Sequence, residues 1–501
     1  MEETLKLSRI DYIGLLILTL VNLLLKIPIT AQGFFAFTYD QGRDLLKVAQ
    51  IVFEHQPTLI GPTSGLQGIF YGPWWYYFLS PILFFSKGNP QGVANFFGLL
   101  AVLTVIFLFF LLRKVTGSSI LAFSLALIAS MSSSWMLGPT LIWNTSLTPV
   151  LLIAFFYVIL RISNKPSYSL FFFMGIIAFL IMDSELPFGL MLSLNVLISL
   201  LLFRKIFYKK HFLLTFLGMA AILSPRIIFD IKHNFLISKS IASYIIHPIN
   251  YGQEVPIINR LYNRLDLYWE IFSQAFTKNN KIFALALIIA IGVLILIISR
   301  DKRSWHLLKN DFFLRYLLVI LAFSLVFFTI FKDIVWNYYL IGLPILFIVI
   351  LSKIFLYAYS IKELKIPISI LILILVVLNF NSGLISPFKI SWLGDGGTYR
   401  NQKMVMDYIA SQNPQNYTFY AYSPAIFDYP FDYLVYWYNR RGLLENPKKN
   451  QNIMYLVIRE ESSKKYHKGG WYGDKTRDKT VVLTRKEFPG DLVVEKHQFT
   501  N

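Results

Sequence analysis

The 501-residue chain has no cysteine. Disulfides, thiolate zinc sites and thiol nucleophiles are excluded, and nothing in cysteine usage reports on a redox compartment. Charge is scarce as well: 15% of the residues are Asp, Glu, Lys or Arg, against about 25% in an ordinary soluble domain. So little polar surface cannot cover a globule in water, and the same shortage rules out disorder, collagen and coiled coil. There is no convincing glycine-rich phosphate loop and no internal repeat, so the usual nucleotide signatures and the paired-repeat plan of secondary transporters are missing. What fills the chain is apolar: 55% hydrophobic residues, with 45 Phe, 29 Tyr and 10 Trp. Mean hydropathy is +0.55. The chain reads as a polytopic α-helical membrane protein with aromatic belts at the interfaces.

A bilayer core about 30 Å thick asks for roughly 20 apolar residues in a helix. Such runs lie near residues 10–29, 69–86, 91–112, 119–137, 144–160, 168–182, 187–203, 212–229, 281–299, 312–331, 337–358 and 366–382. About twelve membrane helices are predicted. Pro73 and Pro81 interrupt the second run. Met182-Asp183-Ser184-Glu185-Leu186-Pro187 joins two short runs, either as a tight hairpin or as one kinked element that lowers the count to eleven.

Charge placement tests this plan. With a cytoplasmic N-terminus, the cytoplasmic segments gather seventeen Lys and Arg, among them Arg113, Lys114, Arg204, Lys205 and Arg303, while the short outer connections hold Lys87 and Lys332. That is the asymmetry expected of inward-facing loops. The net charge of +19 is therefore a marker of topology, and no nucleic-acid partner is expected. The first run is followed by Ile29-Thr30-Ala31-Gln32-Gly33, without a small-x-small cleavage site, so it reads as a retained helix. The expected organisation is a transmembrane domain over 1–382, with outer loops 30–68 and 230–280, and a small extracytoplasmic α/β domain over 383–501. In that tail a helix is predicted at Gln402–Ala410 and strands at Tyr417–Tyr422, Ile453–Ile458 and Val481–Leu483.

The first outer loop carries the densest pattern. Thr38-Tyr39-Asp40-Gln41-Gly42-Arg43-Asp44 leads into residues 45, 48, 49, 52 and 53, which are apolar at helical spacing. An amphipathic helix along the outer interface is predicted, with Asp40 just before it as N-cap or as a functional carboxylate. Gln67-Gly68-Ile69-Phe70-Tyr71-Gly72-Pro73-Trp74-Trp75-Tyr76-Tyr77 follows. Those rings are either an interfacial belt or a floor on which a sugar stacks.

An acidic residue in the first outer loop, Asp-x-x-Arg opening an interfacial helix, and a Gly-Pro/aromatic lead into the second span together resemble the GT-C membrane glycosyltransferases. The nearest members are the protein O-mannosyltransferase-like and aminoarabinose-transferase-like enzymes, which use polyprenyl-phosphate sugars. At residue level the likeness is confined to about 30–81. Those members commonly have Asp-Glu where this chain has Asp40-Gln41, and some have Glu-Lys where it has Tyr71-Gly72.

The resemblance implies transfer of a sugar from a polyprenyl-phosphate carrier to an acceptor hydroxyl at the outer face. The carrier phosphate is already a good leaving group, so one carboxylate base and cations for the departing phosphate suffice. Asp40 is the expected base, with inversion by direct displacement. Arg43, Asp44, Arg226, Asp230, Lys232, His233, Tyr71 and Trp74 are the candidates for donor phosphate or sugar. Phe229-Asp230-Ile231-Lys232-His233-Asn234-Phe235 resembles a string at the same place in bacterial members of the class. Its plain alternative is an interfacial turn with snorkelling cations. Asp183 and Glu185 are candidates for an acceptor or a divalent cation, although two ligands alone make no metal site. Trp143, Asn144, His247, Trp336 and Tyr338 stand at the outer edge, where anchoring is the commoner role. The acceptor, whether lipid, glycan or protein, is not specified. A lipid-linked polysaccharide polymerase or ligase, and a membrane transporter, are the competing readings.

Overall fold

The computed structural model describes residues 6–132, 141–203, 209–247, 255–332, 334–383, 394–422, 428–459, 466–476 and 480–500. Its helices are α1 (Arg9–Ala31), α2 (Tyr39–Phe53), α3 (Trp74–Phe85), α4 (Pro90–Thr116), α5 (Ser119–Met131), α6 (Thr148–Asn164), α7 (Tyr168–Ser184), α8 (Leu186–Leu202), α9 (Lys209–Lys232), α10 (Leu236–Ile246), α11 (Ile257–Thr277), α12 (Lys281–Arg300), α13 (Lys302–Asn310), α14 (Phe312–Ile330), α15 (Leu343–Tyr359), α16 (Lys365–Gly383), α17 (Tyr399–Ser411), α18 (Tyr429–Arg440) and α19 (Tyr466–Thr476). Four strands follow the membrane region: β1 (Tyr417–Tyr422), β2 (Ile453–Arg459), β3 (Thr480–Phe488) and β4 (Leu492–Phe499). Each of the twelve predicted apolar runs contains a helix. Residues 133–137 of the fourth run, and Arg204 and Lys205, lie outside the described residues. Among the described residues, seven helical stretches are long and apolar enough to cross a membrane unaided. The protein is a multi-pass membrane protein, and shorter apolar helices complete its bundle.

The capping chemistry explains where several helices start. Ser8 and Asp11 form a reciprocal box at α1, and Asn89 with Pro90 opens α4, which ends at Gly117 in the left-handed region. Arg113 Nε reaches Asp11 Oδ1 at 3.0 Å, tying the start of α1 to the end of α4. The opposite end of α1 leads to the loop that carries the Asp40 motif.

Three sequence expectations change here. First, the N-cap of α2 is Thr38, in extended geometry, and Gln41 Oε1 accepts from its N–H at 2.9 Å and its hydroxyl at 2.7 Å. Asp40 is therefore inside the first turn, where the helix dipole still favours an acid. Second, α2 does not lay its apolar face on lipid. Leu45, Val48 and Ala49 are buried in a core shared with α3 and with the C-terminal residues. Third, the second predicted span begins only at Trp74. The stretch before it is a hairpin in which Gly61 N–H donates to Tyr71 O and Tyr71 N–H to Pro62 O, both at 2.9 Å. Gly61-Pro62 and Gly72-Pro73 punctuate it, since a residue before proline is driven out of the helical region.

The 182–187 junction is a hairpin between two helices: α7 ends at Ser184, α8 starts at Leu186, and Glu185 between them is extended. Small residues let α7 and α9 approach closely. A methyl on Gly175 would strike the α9 backbone at Thr215, and one on Gly218 the α7 backbone at Phe172. Much of the expected 230–280 loop is helical. α10 and α11 occupy it, and α11 packs into the bundle through Arg264 Nε on Phe328 O at 3.0 Å and Tyr268 on Ser324 at 2.8 Å. Residues 248–254 lie outside the described residues.

The tail folds as a four-stranded sheet in the order β1-β2-β4-β3, parallel between β1 and β2 and antiparallel elsewhere. The predicted helix and strands are found within α17, β1, β2 and β3; α18 and β4 were not foreseen. The tail does not stand apart. Phe37 N–H donates to Gly397 O, Tyr399 N–H to Phe35 O, and Arg400 N–H to Gly33 O. Gln402 Nε2 donates to Phe37 O at 3.0 Å, and Tyr433 OH to Gly88 O at 2.6 Å. One apolar cluster runs from Phe35 and Leu45 through Trp75 and Phe97 to Tyr433 and Val494.

Candidate active site

The amphipathic spacing of α2 turns Asp44 inward and leaves Asp40, one helical turn earlier, at the surface of the same helix. The Asp44 side chain is fully buried, and Asp40 is 40% exposed. Arg43 joins them. Its Nη1 lies 3.0 Å from Asp40 Oδ1, while Nη2 and Nε both lie 2.8 Å from Asp44 Oδ1. Trp75 Nε1–H donates to Asp44 Oδ2 at 2.8 Å. The aromatic lead into α3 therefore does more than decorate the interface: one ring fixes the carboxylate that fixes the arginine.

Burial pushes the Asp44 carboxyl up to about 6, against the opposing pull of Arg43 and the Trp75 hydrogen bond. Burial also works against the Arg43 charge, but Asp44 and then Asp40 outweigh it and hold the guanidinium protonated more firmly than usual. Tyr39 lies beneath this guanidinium at 5.5 Å and packs edge-on against Tyr429 of α18 at 5.0 Å. The tail thus contributes a ring beside Arg43.

A second group stands at the start of α3. Arg226, from the close-packed α9, brings Nη2 to 2.6 Å from Asp183 Oδ1 of α7, off the hydrogen-bond axis. Both side chains are at least nine-tenths buried. Asp183 also presses on Gly72, where an added methyl would sit 2.9 Å from Oδ1. Asp183 thus lies between Gly72 on one side and Arg226 on the other. Glu185 is fully buried, and its carboxylate oxygens have no hydrogen-bond partner among the described residues. Glu185 acts electrostatically on Tyr71 and Tyr338, and Asp40 acts on Tyr338 as well.

An apolar cavity of about 300 Å³ adjoins both groups. Trp74, Trp75, Phe78, Leu100, Leu147, Val150, Leu151 and Leu180 line it, with Asn144, Asp183 and Ser184 as its polar part. Trp75 forms cavity wall on one side and holds Asp44 on the other. Trp74 gives its ring to the cavity and its N–H to Ile222 O at 2.9 Å.

The other predicted residues are engaged locally. Asp230 accepts from Ile237 N–H at 2.6 Å and from the Ser238 hydroxyl at 2.5 Å, capping α10. His233 stacks on Phe229 with ring centroids 3.9 Å apart and faces its carbonyl. Lys232, His233 and His247 are exposed. Asp183 is taken by Arg226 where an ion would need it, and among the described residues no group of three or more His, Asp or Glu could hold a metal. Trp75, Tyr429 and the pairing of Arg226 with Asp183 were missed from sequence. Nothing in the string Trp74-Trp75-Tyr76-Tyr77 singles out Trp75, and no local signal links Tyr429 to a helix some 390 residues earlier.

No protein-family model matches the chain, and no curated protein does. Solved structures do. ArnT from Cupriavidus metallidurans bound to undecaprenyl phosphate superposes with a TM-score of 0.59 over 98% of both chains at 11% identity. The apo state of the same protein gives a TM-score of 0.59 over 96% of this chain and 97% of that one, again at 11% identity. The shared fold runs from the first helix through the tail.

Proposed function

We propose that this chain, with the fold of ArnT, moves a glycosyl group from a polyprenyl-phosphate carrier to an acceptor hydroxyl at the outer face of a membrane. The observation that carries the reading is the line of contacts from the apolar cavity through Trp75 and Asp44 to Arg43 and Asp40. It supports a reading in which the apolar surface takes isoprene units, Arg43 takes the phosphate and Asp40 serves as a part-exposed carboxylate. The fold shared with a protein that binds undecaprenyl phosphate supports the same assignment.

In this reading Arg43 and Arg226 flank the first turn of α3, whose free backbone N–H groups add to an anion-binding field. Asp40 takes the proton of the acceptor hydroxyl as its oxygen attacks the anomeric carbon. The bond to the carrier phosphate breaks with its electron pair on phosphate oxygen, and the configuration inverts. Glu185, buried without a hydrogen-bond partner among the described residues, is a group that a bound sugar or acceptor can satisfy. The N-terminus is cytoplasmic and the tail extracytoplasmic.

The test uses purified protein in lipid with a radiolabelled polyprenyl-phosphate sugar and a panel of lipid, glycan and protein acceptors. Label should move to one class of acceptor and release the lipid phosphate. Asp40→Asn should fold with an unchanged melting point and lose transfer by roughly 10²–10⁴-fold. Full transfer by a folded Asp40→Asn protein would remove the base assignment. Flux into sealed liposomes without transfer would favour a transporter.

A further inference from the structure

Arg43 is the only described side chain that touches both Asp40 and Asp44, and it holds them unequally. Asp44 is the fixed partner: fully buried, in contact with two guanidinium nitrogens at 2.8 Å, and locked from behind by the Trp75 N–H. Asp40 is the loose one, with a single contact at 3.0 Å on a side chain 40% open to solvent. Exposed pairs of that kind are weak and screened. Removing one member of a buried, hydrogen-bonded pair is strongly unfavourable. The same contact engages Oδ1 of the Asp40 carboxylate.

We infer that Arg43 is an exchangeable latch: a phosphate oxyanion arriving at the site takes the Nη1 edge from Asp40, while Asp44 keeps the guanidinium in place. The inference rests on the donor class proposed above. Its consequence is ordered activation, because Asp40 becomes a free base only once the phosphate of the donor is bound. Arg43 suits the part. Its planar fork gives Nε and Nη2 to Asp44 and Nη1 to Asp40, and charge-assisted contacts from guanidinium to phosphate are among the stronger polar interactions. Asp44 then acts as a positioning residue, through Arg43 and never on the substrate. No bond is made or broken in this step; one ion pair replaces another.

The experiment measures equilibrium binding of polyprenyl phosphate, with no sugar and no turnover, to full-length protein in detergent, with inorganic phosphate as a second ligand. Wild type, Asp40→Asn, Arg43→Gln and the double variant form a cycle. Removing the competitor for Arg43 should tighten polyprenyl phosphate binding by roughly three- to tenfold in Asp40→Asn, the scale of one modest ion pair. In the Arg43→Gln background the same change should have almost no effect. Equal tightening in both backgrounds would mean plain repulsion between Asp40 and the ligand, and would overturn the latch. Unchanged or weaker binding in Asp40→Asn would overturn it too. Wild type that ignores polyprenyl phosphate but binds inorganic phosphate with the same cycle would keep the latch and remove the lipid-linked donor. Binding of neither would remove both.

Discussion

Gly42→Ala should pull the tail away from the helix that carries Asp40. α2 meets the start of α18 at this glycine. A methyl group there would sit 2.5 Å from the Tyr429 carbonyl oxygen, and closer still to the adjoining carbonyl carbon and the Pro430 nitrogen. Ordinary contact begins near 3.4 Å, so the two elements must separate by about 1 Å. The obstacle is backbone, which no rotamer change relieves. Overpacking of this kind costs about 1–3 kcal/mol, and replacing a helical glycine returns up to about 1 kcal/mol. A net loss of about 1–2 kcal/mol follows. The larger effect is on turnover, since a shift of about 1 Å in a reacting group can cost about 10²-fold. The assay pairs melting of the detergent-solubilised protein with transfer of labelled sugar. Gly292→Ala in α12 is the control, because a methyl there meets nothing within 4 Å; it should melt at or above wild type and transfer normally. If Gly42→Ala melts with wild type and keeps full transfer, the tail does not set the position of α2.

Three further outcomes follow from the same geometry. Burial raises Asp44 to about 6, so the folded state takes up a proton that the unfolded chain, with an ordinary carboxyl near 3.9, binds only at lower pH. This contribution to stability is complete below about pH 4 and is lost as pH rises through about 6. Wild type should therefore gain up to about 3 kcal/mol between pH 7 and pH 4 relative to Asp44→Asn, read from unfolding midpoints across that range; parallel curves for the two proteins would contradict it. Gly72→Ala drives a methyl into Asp183 and should unseat the Arg226 pair, lowering stability by about 1–3 kcal/mol and reducing polyprenyl phosphate binding. Trp75→Phe keeps an aromatic ring, though a smaller one, and deletes the N–H donor to Asp44. It should cost about 1–2 kcal/mol in melting experiments, with transfer falling further than in Phe78→Leu on the same cavity wall.

Much of this was readable from residue spacing. Apolar runs gave the helices, because the bilayer dictates length and composition independently of tertiary detail. The period of α2 was plain. The cap was misjudged because Asp40 and Thr38 are both good cap residues, and only Gln41, three residues after Thr38, distinguishes them. In this chain the second position of the motif, Gln41, closes the helix cap. The fate of Asp230 was hidden for a similar reason, since whether a carboxylate caps a neighbouring helix or faces a ligand depends on how the chain turns after it. Arg226 and Asp183 were separate candidates in the sequence, the first for the donor phosphate and the second for an acceptor or a divalent cation. Their pairing depends on how closely α7 and α9 pack, which hydropathy does not report.

The joining of the first outer loop to the tail has a consequence for biosynthesis. Gln402 bonds to Phe37 across 365 residues, and Gly42 rests on Pro430. At chain growth of about 5–20 residues per second, α2 leaves the ribosome roughly 20–80 seconds before its cover exists. A nascent chain in which the tail has not yet been made lacks these contacts, so in the proposed reading the Asp40 site is seated only after the tail has packed on α2.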